Sequence, residues 1–335
     1  MSPQARPFLP CVIAAALLAG CESGVEPEPP VEPAPEYAIT PLAATADADS
    51  SWTTAINEHG AITGVICSEA CRPVVWVDGD AVVLSEGAGA ALGLNDRGDV
   101  VGTVGQEAVL WSDDTMEILR SATDGPHPDS RQDFAFDIDD AGTIVGGWIP
   151  TGVRHPHLQG FVVRNGGLED FPFTPQAIGR DGRIVGHHFL NAAHPLPQVW
   201  IEGEVVELAP DAGHAYDISD DGTVVGFVHI DGSQAFRWQH GELLLLGSLP
   251  GFDRSSANAV SAAGTIVGLS YSLVHDDRRA TLWRDGEMGD LTELLDDAGW
   301  VVEEARAING DGVIAAIGRR DGSGPRQAIV LTPLQ

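Results

Sequence analysis

The chain has 335 residues and carries 49 acidic against 18 basic side chains, a net charge of −31. Every basic residue is arginine, and a chain without lysine has neither a P-loop nucleotide site nor a Schiff-base lysine. A field this negative repels phosphate, so nucleic acid and bare anionic lipid are excluded as partners. A solvated acidic shell accounts for the charge; a saline habitat or loosely held divalent cations are the alternatives.

Residues 1–20 hold one arginine, no acid and an apolar run that ends in Leu18-Ala19-Gly20, followed by Cys21. The run is too short to span a bilayer and reads as a cleaved signal. Leu-Ala-Gly-Cys resembles the bacterial lipoprotein cleavage box, which implies lipidation of Cys21; an ordinary secretory signal is the alternative. Residues 21–35 are rich in proline and glutamate and read as an extended, solvated tether. Residues 36–335 form the folded part. The expected location is the bacterial cell envelope, at the outer membrane or cell surface, with membrane contact through the lipid anchor alone.

From residue 55 onward one phrase recurs: AINEHGAITG at 55, GLNDRGDVVG at 93, DIDDAGTIVG at 137, AIGRDGRIVG at 177, DISDDGTVVG at 217, AVSAAGTIVG at 259 and AINGDGVIAA at 307. Its turn glycines (Gly60, Gly98, Gly142, Gly182, Gly222, Gly264 and Gly312) lie 38 to 48 residues apart. A period near forty without helical patterning marks a stacked or radial β array.

Each unit reads as four short strands. The first pair is joined by a turn closed by glycine in the left-handed region. The third strand carries tryptophan at a fixed register (Trp76, Trp111, Trp200, Trp238 and Trp283), with Val163 and Leu331 in the same place in copies three and seven. These rings read as core packed between sheets rather than as a ligand platform. Asp78-Gly79, Asn165-Gly166 and Asp285-Gly286 predict two-residue hairpins to the fourth strand.

Copy seven lacks a fourth strand, and the apolar run Tyr37–Leu42 precedes copy one. That segment is placed to supply the missing outer strand. The expected fold is all-β: a seven-bladed β-propeller of four-stranded blades closed by the N-terminal strand. An open β-solenoid, with a bare edge, is the alternative.

The stretch LLLLGSLPGFDRSSANAVSAAGTIVG at 243–268, together with GWVVEEARAINGDG and the QAIVLTP ending, resembles the probable extracellular repeat family known as HAF. The resemblance covers about residues 50 to 335, although only Ala235-Phe236-Arg237-Trp238 keeps part of the namesake tripeptide. It implies an extracellular β-repeat domain of unassigned biochemistry and carries over no catalytic residue.

Cys67 and Cys71 flank a short loop in copy one. In an oxidising envelope they are expected to form a disulfide, a C-x-x-x-C metal pair being the alternative. The two hairpin turns keep their length between copies, while the other two connections vary and fall on the opposite face. Insertions gathered on one face of a repeat array mark a binding face. Nine of the eleven histidines lie on or beside those variable loops.

The candidate ligand-binding set is His127, Trp148, Arg154, His155, His157, His187, His188 and His194, from copies three and four. Such a set offers a metal or anionic-ligand site, or else a polar surface whose histidines never converge. Asp137 and Asp217 occupy a first-strand position that is alanine or glycine in the other copies. They suit an ion or general-acid role, or the capping of a neighbouring backbone N–H. No H-E-x-x-H, G-x-S-x-G, calcium-loop or dinucleotide spacing occurs.

The expected function is a monomeric binding or scaffold module for a protein or glycan at the cell surface, without a cofactor. The alternative is a hydrolase or lyase assisted by a divalent metal and acting on polysaccharide through the histidine and arginine loops of copies three and four.

Overall fold

In a computed structural model, residues 36–120, 130–150, 157–190, 194–297 and 299–334 are described. They form twenty-eight strands gathered into seven separate four-stranded antiparallel sheets. In the fifth sheet the strands are Gly213–Ile218, Val224–His229, Ser233–Gln239 and Glu242–Leu245. This is the seven-bladed propeller that the repeats predict, and each blade is numbered here by its copy.

Local chemistry sets the hairpins. After the first strand of blade one, the Asn57 side chain accepts the N–H groups of His59 (3.1 Å) and Ala61 (2.9 Å), and Gly60 closes the turn at φ 80°. The outer hairpins pair two positive φ values, such as 51° and 84° at Asp78-Gly79 or 54° and 81° at Asp285-Gly286. That geometry matches the natural twist of paired strands.

The third-strand register holds throughout the ring. Trp76 faces Ile62, Trp238 faces Val224, Val163 faces Ile144 and Leu331 faces Ile314. Trp76, Trp111 and Trp283 are buried, whereas Trp200 and Trp238 are half-buried against the packed layers between blades. Those layers are shared: Val185 and Val199 of blade four pack with Ala215, Val224 and Phe236 of blade five. Cys67 and Cys71, opposite one another at the end of a hairpin in blade one, are joined by a disulfide.

The ring is latched by the N-terminal segment. Tyr37–Pro41 runs antiparallel to Gln327–Pro333 as the outer strand of blade seven, with Tyr37 opposite Pro333. The amides of Glu36 and Tyr37 both donate to the Leu294 carbonyl (2.9 and 3.0 Å), and Leu334 donates to Glu36 O at 2.8 Å. The bare edge of a solenoid is therefore absent from blade seven.

All seven first strands carry a register shift at one equivalent place, such as between Thr53 and Ala55, Ala135 and Asp137, or Ala215 and Asp217. One extra residue is extruded there as a β-bulge. The bulged strand then presses a carbonyl onto the second-strand glycine. A β-carbon on Gly226 would lie 2.0 Å from His214 O, and one on Gly64 would lie 2.0 Å from Trp52 O. Blade seven has Ala316 at this position, and its first strand carries a further irregularity between Val302 and Glu304. We expect Gly226→Ala to cost about 1–3 kcal/mol through overpacking. Its urea midpoint should fall clearly below that of the parent; an unchanged midpoint would mean the strands part without strain.

Candidate functional site

The first strands surround an axial channel of about 270 Å³ to which every blade contributes. The extruded bulge residues line its middle: Thr54, Leu92, Phe136, Gln176, Tyr216, Asn258 and Arg306, one from each blade. The residues on either side of the bulge are mostly alanine, whereas the bulge residue itself, which lines the channel, differs in every copy. Backbone geometry fixes where these groups point, and nothing in the repeat fixes what they are.

The mouth on the tight-turn face is charged. Glu58, Asp96, Asp140 and Asp220 occupy one turn position in four blades, and Arg180 occupies it in blade four. The Arg180 guanidinium lies 2.6 Å from Asp96, 3.6 Å from Glu58 and 4.0 Å from both Asp140 and Asp220. Three of these carboxylates also stitch blade to blade: Glu58 accepts the Gly310 N–H (2.8 Å), Asp96 that of Glu58 (2.9 Å) and Asp140 that of Asp96 (2.9 Å). The turn asparagines add a parallel stitch, with Asn57 Nδ2 donating to Asn95 O and Asn95 Nδ2 to Asp139 O.

Asp137 and Asp217 line the channel wall. Each spans two blades with its carboxylate. Asp137 accepts the N–H groups of Ile138 (2.9 Å) and, in the next blade, Ile178 (2.9 Å). Asp217 does the same with Ile218 (2.8 Å) and Val260 (2.8 Å). The backbone-capping role is thus the one the geometry provides. Burial outweighs these bonds and pushes Asp137 up to about 7, with the Asp217 and Asp139 carboxylates adding to the rise. Burial raises Asp217 as well.

His157, His187, His188, His214 and His229 lie apart from these carboxylates, near the variable-loop face of blades four and five. His187 and His214 place their Nδ1 atoms 3.0 Å apart, an approach that needs at least one ring neutral. Rings continue on both sides: His157 stacks on Phe189 (4.4 Å), His187 meets Phe189 edge-on (5.0 Å), and His214 lies against Phe227 (5.2 Å) and Tyr216 (5.9 Å). Burial lowers His187 to about 3 and His214 to about 4, with neighbouring imidazoles contributing.

Of the candidate residues, His157, His187 and His188 share a cleft of about 90 Å³, room for waters rather than for a substrate. His194 is exposed, and no contact joins its side chain to that cleft. Trp148 is not a loop platform. It sits on the second strand of blade three, packed against the core of Val101, Ala135 and Phe161. Cys21, His127, Arg154 and His155 lie outside the described residues, as do the signal and tether. Among the described residues no three His, Cys, Asp or Glu side chains are grouped as a metal-ligand set. Another cleft, of about 490 Å³, lies between blades three and four, where Arg164 stacks over Trp200 at 4.9 Å. Its walls include Asp181-Gly182 and the Trp200 register, positions that recur from blade to blade.

Sequence reasoning missed the bulge ring, the Arg180 hub and His214. The ring had a visible signal, a residue that changes in every copy immediately before the recurring phrase.

No protein-family model matches the chain, and no curated protein matches it. Among solved structures it is similar to the β-propeller domain of the trilobed protease from Pyrococcus furiosus, with a TM-score of 0.56 and 9% identity over 85% of this chain and 98% of that one. It is also similar to the extracellular domain of a putative one-component system from B. thetaiotaomicron, with a TM-score of 0.50 and 10% identity over 89% of this chain and 40% of that one. At such identities the likeness speaks for the propeller fold alone. The Pyrococcus domain is described as having an open velcro topology, whereas here Tyr37–Pro41 latches the ring.

The two buried sets titrate in opposite senses. Burial holds the Asp137 carboxyl at about 7 in the folded chain against 3.8 for a free aspartate, so its contribution is full below about pH 4 and is lost as pH rises through 7. The imidazoles of His187 and His214 are lowered to about 3 and 4 from 6.5, so their contribution is full above 6.5 and is lost as pH falls toward 4. We expect the stability cost of Asp137→Asn to shrink by on the order of 2 kcal/mol between pH 5 and pH 8. Urea unfolding of both proteins at the two pH values measures this; a constant difference would show that Asp137 does not titrate there.

Proposed function

We propose that the protein is a ligand-binding propeller of the bacterial cell envelope, and that it takes a protein or glycan partner at the axial channel. One observation carries the reading. Each of the seven inner strands puts one bulge residue on the channel wall, and those seven side chains all differ. A structural role would favour repetition there, as it does at the turn glycines and at the third-strand register. The histidine and aromatic rings lie near the variable-loop face, which suits a partner approaching from that face.

The Leu18-Ala19-Gly20-Cys21 run supports a lipid anchor, and the proline- and glutamate-rich residues after it support a tether holding the propeller off the membrane. The repeat pattern supports membership of the HAF-repeat family.

Two measurements test this reading. A Tyr216→Leu variant should retain several-fold less of a native envelope component than the parent when each is immobilised and exposed to envelope extract. Equal retention would place binding elsewhere. A Cys21→Ala variant should move from the membrane to the soluble fraction and lose incorporation of a labelled fatty acid; continued membrane association would remove the anchor.

A further inference from the structure

We infer that the channel receives a lysine side chain of a basic protein partner, its ammonium reaching the carboxylates of Asp137 and Asp217 and its alkyl stem lying along the aromatic wall. The inference rests on the channel being the binding site, and it favours a protein over a glycan there.

The charge of the wall selects a cation. Seven carboxylates line the channel against two guanidiniums. Both guanidiniums are engaged, Arg180 by the acidic turn ring and Arg306 by Glu304 at 3.0 Å. The chain itself shows what the acidic ring accepts, because the Arg180 guanidinium occupies its centre. One level further in, Asp137 and Asp217 have no ion pair with any described residue. Each carboxylate oxygen takes one backbone N–H and keeps a lone pair for another donor. The proximity of Asp217 raises Asp137, so a cation placed between them removes a repulsion.

Beside the carboxylates the wall suits an alkyl stem. Phe136 on blade three and Tyr216 on blade five line the channel; Phe136 lies parallel to Phe134 at 5.7 Å and Tyr216 stacks with His214 at 5.9 Å. Ring faces beside carboxylates attract an ammonium while packing its methylenes. A volume of about 270 Å³ falls at the small end of ligand pockets and suits one extended side chain better than an oligosaccharide. A net charge of −31 steers a basic partner toward this protein.

The test is a calorimetric titration of the protein with the capped peptide acetyl-Gly-Lys-Gly-amide, its Nε-acetyl-lysine counterpart and the neutral disaccharide cellobiose. Saturable binding of the lysine peptide is expected, at least ten-fold weaker for the acetylated peptide and at least five-fold weaker for Phe136→Leu and for Tyr216→Leu. Both substitutions leave the interblade hydrogen bonds intact, and thermal unfolding confirms that each variant folds. Equal binding of the acetylated peptide, or indifference to both substitutions, overturns the inference, as does no binding of the lysine peptide. Cellobiose binding that depends on Tyr216 also overturns it and leaves the channel reading standing. That broader reading fails only if envelope retention ignores Tyr216.

Discussion

In six of the seven inner strands a carbonyl just before the bulge closes on the α-carbon of the second-strand residue. Gly226 and Gly64 leave 2.0 Å where a methyl group would have to sit. Because the contact is backbone against backbone, no rotamer can relieve it, and the glycine is required by the bulge rather than by the turn. The bulge in turn gives each inner strand one more residue than its neighbour, and that extra residue is what faces the axis. Packing between blades and display toward the channel are thereby assigned to different positions of the same strand. Blade seven marks the boundary of the rule, since Ala316 coincides with a second irregularity in the strand opposite.

The inner ring is also where the blades are tied together. Apolar layers between blades are non-directional and would tolerate small rotations of one sheet against the next. The turn asparagines, the turn carboxylates and the Asp137 and Asp217 staples are directional, and each joins a side chain of one blade to the backbone of its neighbour. Asp137 and Asp217 are the costly members of the set, because a carboxylate in that wall gives up hydration that two N–H groups replace only in part. Their position directly after the bulge residues Phe136 and Tyr216 means that the tie and the display share one stretch of backbone.

The architecture was legible because a repeated backbone demands repeated chemistry. The turn glycines, the Asp-Gly hairpins and the tryptophan register each answer to a local φ value or a packing layer that recurs in every blade. Closure was legible from the mismatch between a three-stranded last copy and the spare apolar run at Tyr37. The site was far less legible. Histidines were grouped by nearness to variable loops, but strand direction decides which of them meet, and it brought His187 to His214 while leaving His188 and His194 facing out. Trp148 looked like a loop residue, yet its strand continues far enough to bury it. Arg180 carries no signal in the sequence, because its partners come from turns 40 to 122 positions away in the chain.

Arg180 also bears on how so acidic a chain closes a ring at all. Turn acids at one equivalent position must converge when blades are arranged around an axis, and with four of them the mouth would repel itself. Three are partly neutralised by N–H groups of adjacent blades, and the guanidinium of Arg180 sits among all four. Blades six and seven place Ala262 and Gly310 at this position, which lowers the density of charge on that side. A single arginine at this point in the repeat, itself half exposed, therefore meets carboxylates from four other blades at once. The same convergence without such a hub, one level further into the channel, leaves Asp137 and Asp217 as carboxylates whose charge is met only by backbone.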